Sequence, residues 1–215
     1  MARLLVFDLD GTLVDSSRDI AASANEALRR VAPGTAEIPL AAILSFVGEG
    51  ARLLVERSLR HAGLSLSPDE VLPVYIECYA ERLLDTTRLY PGVAEALDAL
   101  AGTTLAVLTN KPGDFSREIL KGLGVAHRFA CVLGAGDVPS RKPDPGGLLR
   151  LMAESGAAPG DTWMVGDSAT DVAAARAAGV RAAGVTWGFH PAALRAAGPD
   201  RLIDRPIDLA SLLAA

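Results

Sequence analysis

The chain has little cysteine. Cys78 and Cys131 are the only two in 215 residues, and no C-x-x-C is present. This excludes a disulfide scaffold and a zinc ribbon and fits a reducing compartment. Long uncharged apolar runs are also missing. The richest stretch, near residues 172–189, is broken by Arg176 and Arg181, so no membrane span is expected. The leading MARLLVFD meets an acid too early for a signal peptide, and the expected location is cytoplasmic. Nor is there a basic run. With a net charge of −5 and a pI near 5.2, the chain carries no electrostatic footprint for nucleic acid.

Several chemical signatures are absent too. There is no G-x-x-x-x-G-K-[ST], which argues against P-loop nucleotide chemistry. Gly48-x-Gly50 and Gly134-x-Gly136 lack the third glycine of a dinucleotide loop. No G-x-S-x-G elbow occurs. His61, His127 and His190 are scattered and make no ligand pair.

What is present reads as an ordinary globular protein. Hydrophobic residues make up 50% and charged residues 22%, and the length suffices for one core with a small second domain. Short apolar runs at 3–8, 104–110, 129–134, 162–167 and 181–187, with a weaker one at 201–204, have the pattern of strands buried on both faces. Helical patterns near 113–123, 145–156, 169–178 and 191–197 separate the later runs. Strands alternating with helices predict an α/β fold, a doubly wound parallel sheet with helices on both faces.

One interval breaks that alternation. Between the first strand and Thr104 lie helical patterns near 16–31, 39–45, 50–62 and 68–85 and no convincing strand. Ser16 with Asp19 three residues on resembles a capping box at the first of these helices. A crossover needs one helix, so the surplus predicts an inserted all-helical cap at 16–85, with a core of 1–15 and 86–215 and a return hinge at 89–93.

The stretch VFDLDGTLVDSS, residues 6–17, sets two acids at the end of a buried strand. Residues i and i+2 of a strand share a face, so Asp8 and Asp10 are expected to project together, and Gly11 permits a sharp turn. Two such anions need a cation or a shared proton, and a hard divalent ion takes oxygen ligands. Thr109 ends a second strand, where threonine is ordinary on propensity alone and its hydroxyl becomes a phosphoryl-oxygen candidate only through the resemblance given next. Lys142 and Lys111, each followed by proline, are rival positive charges, and spacing does not choose between them. Asp167 ends a further strand as a candidate metal ligand. Asp171 falls in the next helical turn, where the macrodipole favours an acid in any case.

DLDGT, VLTNK, SRKPDP and MVGDSATD, in that order, closely resemble the four motifs of the haloacid dehalogenase-like hydrolases. The resemblance spans essentially the whole chain. It implies a phosphatase with Asp8 as nucleophile and Asp10 as general acid and base, since the dehalogenases proper lack the second acid. It favours Lys142 over Lys111 as the phosphate lysine and adds Asn110 to the substrate-binding candidates. It implies Mg2+ held by Asp8, the Asp10 main chain, Asp167 and Asp171, with Asp171 reaching metal water or orienting the lysine. It also places the Asp8 strand between those of Thr109 and Asp167. SFVGEGARLLVERSL, residues 45–59, looks like the cap segment of phosphoglycolate phosphatases. There the backbone N–H groups at Gly48 and Gly50, with Arg52, are candidates for a second anionic group, while Glu49 would repel one unless it points away. The expected activity is Mg2+-dependent hydrolysis of a small phosphomonoester such as 2-phosphoglycolate, by a monomer or homodimer without nucleic-acid or membrane partners. Another small ester, pyrophosphate, or a receiver-like phospho-Asp domain are the alternatives.

Overall fold

The computed structural model describes residues 3–214. The first strand, β1 (Leu4–Phe7), is buried along its whole length. Leu4 and Val6 join one hydrophobic core, and Leu5 and Phe7 the other. This is the two-residue period of a strand covered on both faces, which its uninterrupted apolar run dictates.

After β1 come a short strand β2 (Val14–Asp15) and four helices, α1 (Ser17–Val31), α2 (Leu40–Leu44), α3 (Ala51–His61) and α4 (Pro68–Ala80). A second short strand, β3 (Arg88–Leu89), and α5 (Val93–Ala99) follow. The chain then alternates through β4 (Thr104–Pro112), α6 (Gly113–Gly122), β5 (Cys131–Ala135), α7 (Gly146–Ser155), β6 (Thr162–Gly166), α8 (Ala169–Ala178), β7 (Arg181–Val185), α9 (Pro191–Ala197) and β8 (Arg201–Ile203). A 3-10 segment, Pro206–Ala214, ends the described chain.

The six longer strands form one parallel sheet in the order β5-β4-β1-β6-β7-β8. Side chains of α7, α8 and α9 pack on the face that holds Leu4 and Val6. Those of α5, α6 and the C-terminal segment pack on the other face, in a core that continues without a break into α1–α4. The fold is therefore the expected doubly wound sheet with an inserted helical cap. β1 lies between β4 and β6, so the chain segments after these three strands emerge side by side at one sheet edge. No helix among the described residues is long and apolar enough to cross a membrane.

Three details depart from the sequence reading. The interval before Thr104 holds two strands and a fifth helix. The strands are two residues each, pairing Val14 with Leu89 and Asp15 with Arg88 antiparallel, too short to leave a periodic signal. The seven-residue α5 is entered through Gly92 in the left-handed conformation (φ +87°), inside the segment read as a hinge. Third, no capping box forms at α1, where Ser16 makes no side-chain cap. Its hydroxyl donates instead to Asp10 Oδ1 at 2.5 Å. The buried Asp19 carboxylate accepts from the N–H and hydroxyl groups of Thr86 and Thr87 at 2.5–3.0 Å, 67 and 68 residues away. A capping pattern predicts only partners within the helix turn; instead the Ser16 hydroxyl found the Asp10 acceptor and Asp19 found distant donors.

Candidate active site

The segments leaving β1, β4 and β6 carry Asp8, Thr109 and Asp167, all buried. Asp8 continues the ladder one step beyond β1, its N–H donating to the Val165 carbonyl at 2.9 Å, while its Oδ1 accepts from Leu9 N–H at 2.8 Å. Asp167 follows Gly166, and its Oδ2 accepts from Phe189 N–H at 2.7 Å. Two glycines make its setting possible. A Cβ on Gly11 (φ +80°) would lie 2.3 Å from Asp167 Oδ2, and one on Gly188 would lie 2.3 Å from Asp167 Cβ. Any side chain at either position would collide with the carboxylate.

Asp171 sits in the first turn of α8. Its Oδ2 accepts from the Ser168 N–H (3.1 Å) and hydroxyl (2.6 Å), so the capping box of this helix does form. Its other oxygen accepts from Lys142 Nζ at 2.6 Å, and the same ammonium lies 3.0 Å from Asp8 Oδ1. Oxygens of Asp8, Asp167 and Asp171 all lie within 4.8 Å of one another. Lys142, not Lys111, is thus the ammonium on the acid cluster.

Asp10 departs from the expected arrangement. Its carboxylate is outside that cluster, held by Lys111 Nζ at 2.8 and 2.9 Å and by the Ser16 hydroxyl. The same-face rule applies only inside a strand; β1 ends at Phe7 and the chain turns at Gly11, so the two carboxylates of DLD point to different partners. Both still line one cavity, with Thr109, Asn110, Lys111, Asp167 and His190. The cap supplies its opposite wall through Val47, Gly48, Gly50, Ala51, Leu54, Tyr75, Ile76 and Tyr79.

Asn110 is committed at both ends of its amide. Its Oδ1 accepts from Lys142 N–H at 2.9 Å, and its Nδ2 donates to the carbonyls of Lys142 (3.0 Å) and of Gly48 in the cap (2.9 Å). It therefore positions the lysine loop rather than offering a free donor to a ligand. Among the cap candidates, Gly48 and Gly50 line the cavity, and Glu49 and Arg52 do not. Glu49 pairs with Arg57, pointing away as an acid near an anion must. Arg52 binds Asp69 through two contacts at 2.7 and 3.0 Å, on a different face of the cap. The expectation that Arg52 meets a ligand is corrected: Asp69, in the first turn of α4, captures it. Missing from the sequence reading were Lys111 as the partner of Asp10, the Tyr75–Tyr79 pair stacked 5.9 Å apart, and His190, whose Nε2 reaches the Val47 carbonyl at 3.1 Å. The i, i+4 spacing of the two tyrosines on α4 was the only available signal.

Charge decides what the cluster can hold. Burial pushes the Asp8 carboxyl up to about 6; Lys142 pulls it back, but Asp171 and Asp10 add to the rise. Burial raises Asp167 well above the carboxylate range, with Asp171 and Asp8 adding to it. Burial draws Lys142 down, yet Asp171 and Asp8 outweigh it and hold the ammonium above its ordinary value. Three carboxylates against one ammonium leave a deficit of positive charge among oxygen donors, which suits a hard divalent cation. A raised Asp8 carboxyl means that the native chain without metal binds a proton the unfolded chain has already released, so stability is expected to fall as pH rises from about 4 to about 6. A divalent ion needs the ionised form. Added magnesium is therefore expected to raise the melting temperature at pH 7.5 and to lose that effect near pH 5. A shift of equal size at both pH values, by calorimetry, would contradict the charge balance.

A family model described as haloacid dehalogenase-like hydrolase matches residues 5–185. Similar proteins include a phosphoglycolate phosphatase of Pseudomonas putida, 38% identical over 99% of this chain and 79% of its own length. One of Vibrio vulnificus is 38% identical over 98% of this chain and 94% of its own length. A crystal structure of a predicted phosphoglycolate phosphatase from Haemophilus somnus superimposes with a TM-score of 0.91 at 34% identity, covering 98% of this chain and 97% of that one.

Proposed function

Because the chain belongs to the haloacid dehalogenase-like hydrolases, we propose that it hydrolyses a small phosphomonoester, 2-phosphoglycolate first among the candidates, through an aspartyl-phosphate on Asp8. The observation that carries this reading is the buried Asp8, gripped by Lys142 and grouped with Asp167 and Asp171, with Asp8 and Asp167 lining a cavity walled by the cap.

Asp8 attacks phosphorus in line. The phosphorus–oxygen ester bond breaks as the Asp8–phosphorus bond forms, and Asp10 gives its proton to the departing alkoxide. Water then attacks the same phosphorus with Asp10 taking its proton, and the Asp8–phosphorus bond breaks to release phosphate. Lys142 and Thr109 hold the transferring oxygens. Asp8, Asp167, Asp171 and the Asp10 main-chain carbonyl are the groups that would hold Mg2+, which supplies charge neutralisation of the phosphoryl oxygens. We place the cap at residues 16–85, with the β2–β3 pair closing the core beside both its ends. Both cysteines are free, which supports the cytoplasmic reading.

The test is phosphate release from 2-phosphoglycolate, sugar phosphates and pyrophosphate, with magnesium and with chelator. Magnesium-dependent turnover highest on 2-phosphoglycolate is the expected result. Preference for a sugar phosphate or pyrophosphate would move the substrate assignment. A phosphorylated protein with no multiple turnover would instead mark a receiver-like domain.

A further inference from the structure

One buried cation takes no part in the steps above. The Lys111 side chain is 5% exposed, its ammonium lies against both Asp10 oxygens, and its charge sits 4.4 Å from the centroid of the Tyr79 ring. Among the described residues it is the only Lys or Arg lining the cavity. The other buried ammonium, Lys142, is taken up by Asp8 and Asp171.

The cavity has two ends, one at Asp8, which Lys142 backs from behind, and one at Asp10 and Lys111. The transferring phosphoryl group belongs with Asp8 and Lys142. The leaving oxygen must reach Asp10 to receive its proton, so whatever that oxygen carries comes to lie beside Lys111. The wall there is largely aromatic, formed by the stacked rings of Tyr79 and Tyr75. A charge in such a place is poorly hydrated and worth far more to a ligand of opposite sign than to water. Asp10 engages this ammonium through two contacts, and an ammonium has three donors; the ring offers it a π-face and no lone pair.

We propose that Lys111 is the specificity residue of this site, receiving a carboxylate carried on the carbon next to the leaving oxygen. The cavity would then select phosphate esters of 2-hydroxy acids over those of uncharged alcohols. This rests on the phosphatase reading and sharpens it. The carboxylate carbon of such an ester lies roughly 2.5 Å from the leaving oxygen, two single bonds away. That is a span an ammonium touching Asp10 can cover. Arg52, turned to Asp69, is not available for the role.

Ethyl phosphate matches 2-phosphoglycolate in skeleton and carries a methyl group where the acid would be. The ratio of kcat/KM for the two esters, measured with magnesium on the native protein, Lys111→Met and Lys111→Arg, tests the assignment. The native protein is expected to favour the acid by about a hundredfold or more. Lys111→Met should compress that ratio at least tenfold, with Lys111→Arg keeping part of it, whatever happens to the absolute rates. An unchanged ratio in folded Lys111→Met would overturn the proposal. So would a native protein that does not separate the two esters, a comparison that needs no variant. Equal turnover of both sinks only the carboxylate assignment, whereas no phosphate release from any ester sinks the phosphatase reading with it.

Discussion

Asp8→Asn is expected to lose at least about 10⁴-fold in kcat while melting higher than the native protein when divalent metal is absent. The two effects have one cause. Asp8 is held in a buried position whose other charges are two acids and one ammonium, and its carboxyl is pushed up to about 6 as a result. At pH 7.5 the folded chain therefore carries an ionised group that it would rather not. An amide of the same shape keeps the packing and removes the charge. The gain is about 1–3 kcal/mol, and the melting temperature rises by a few degrees. It should shrink as the pH falls to 5, where native Asp8 takes up its proton. Magnesium should raise the melting temperature of this variant less than that of the native protein. Thermal melts with chelator, paired with phosphate release, read both effects. Retained turnover would remove Asp8 from the nucleophile role, and a lower melting temperature would mean that burial and repulsion do not dominate at this position.

Lys142→Met should act in the opposite direction on stability. The ammonium is the one cation on the three-acid cluster among the described residues, at 2.6 Å from Asp171 and 3.0 Å from Asp8. Removing one partner of a buried pair leaves uncompensated charge, which costs about 3–5 kcal/mol. In a chain of this size that is a fall of about 6–20 °C in melting temperature. The loss should be largest at pH 7.5 and smaller at pH 5.5. Without the ammonium the Asp8 carboxyl rises further, so the native state binds a proton that the unfolded state lacks, and stability returns as the solution becomes more acidic. Magnesium at pH 7.5 should recover part of the loss. A deficit independent of both pH and magnesium would show that the methylene stem of Lys142, not its charge, holds the loop.

How much of this was legible in the sequence differs between the two halves of the molecule. Asp8, Asp167 and Asp171 are fixed by strand ends and a helix start, features with a local signature. A parallel sheet brings such ends to one edge, whatever the loops do. Lys142 needed more: nothing local distinguishes it from Lys111, and the choice follows from which loop leans over Asp171. The strand rule predicts Asp8 and Asp10 side by side, but the strand stops at Phe7, so the Asp10 carboxylate turns to Lys111 and Ser16 while still lining the same cavity. The cap was least legible. That four helices are inserted shows in their number and spacing, but which of their residues face the core depends on how they fold back. Arg52 has the charge a ligand would want, yet Asp69 lies closer. Tyr79 was invisible as part of the site because an aromatic residue on a helix is usually core. Ser16 and Asp19 carry a local capping pattern that other partners override, Asp10 for the hydroxyl and distant donors for the carboxylate, and no periodicity anticipates a partner 67 residues away.

The Asn110 side chain joins two parts of the molecule that lie far apart in sequence, the loop of Lys142 and the cap. One amide clasps the backbone of the lysine loop and reaches across to the carbonyl of Gly48. A cap that moves against the core must break that hydrogen bond, so any such motion is felt directly by the backbone that carries Lys142.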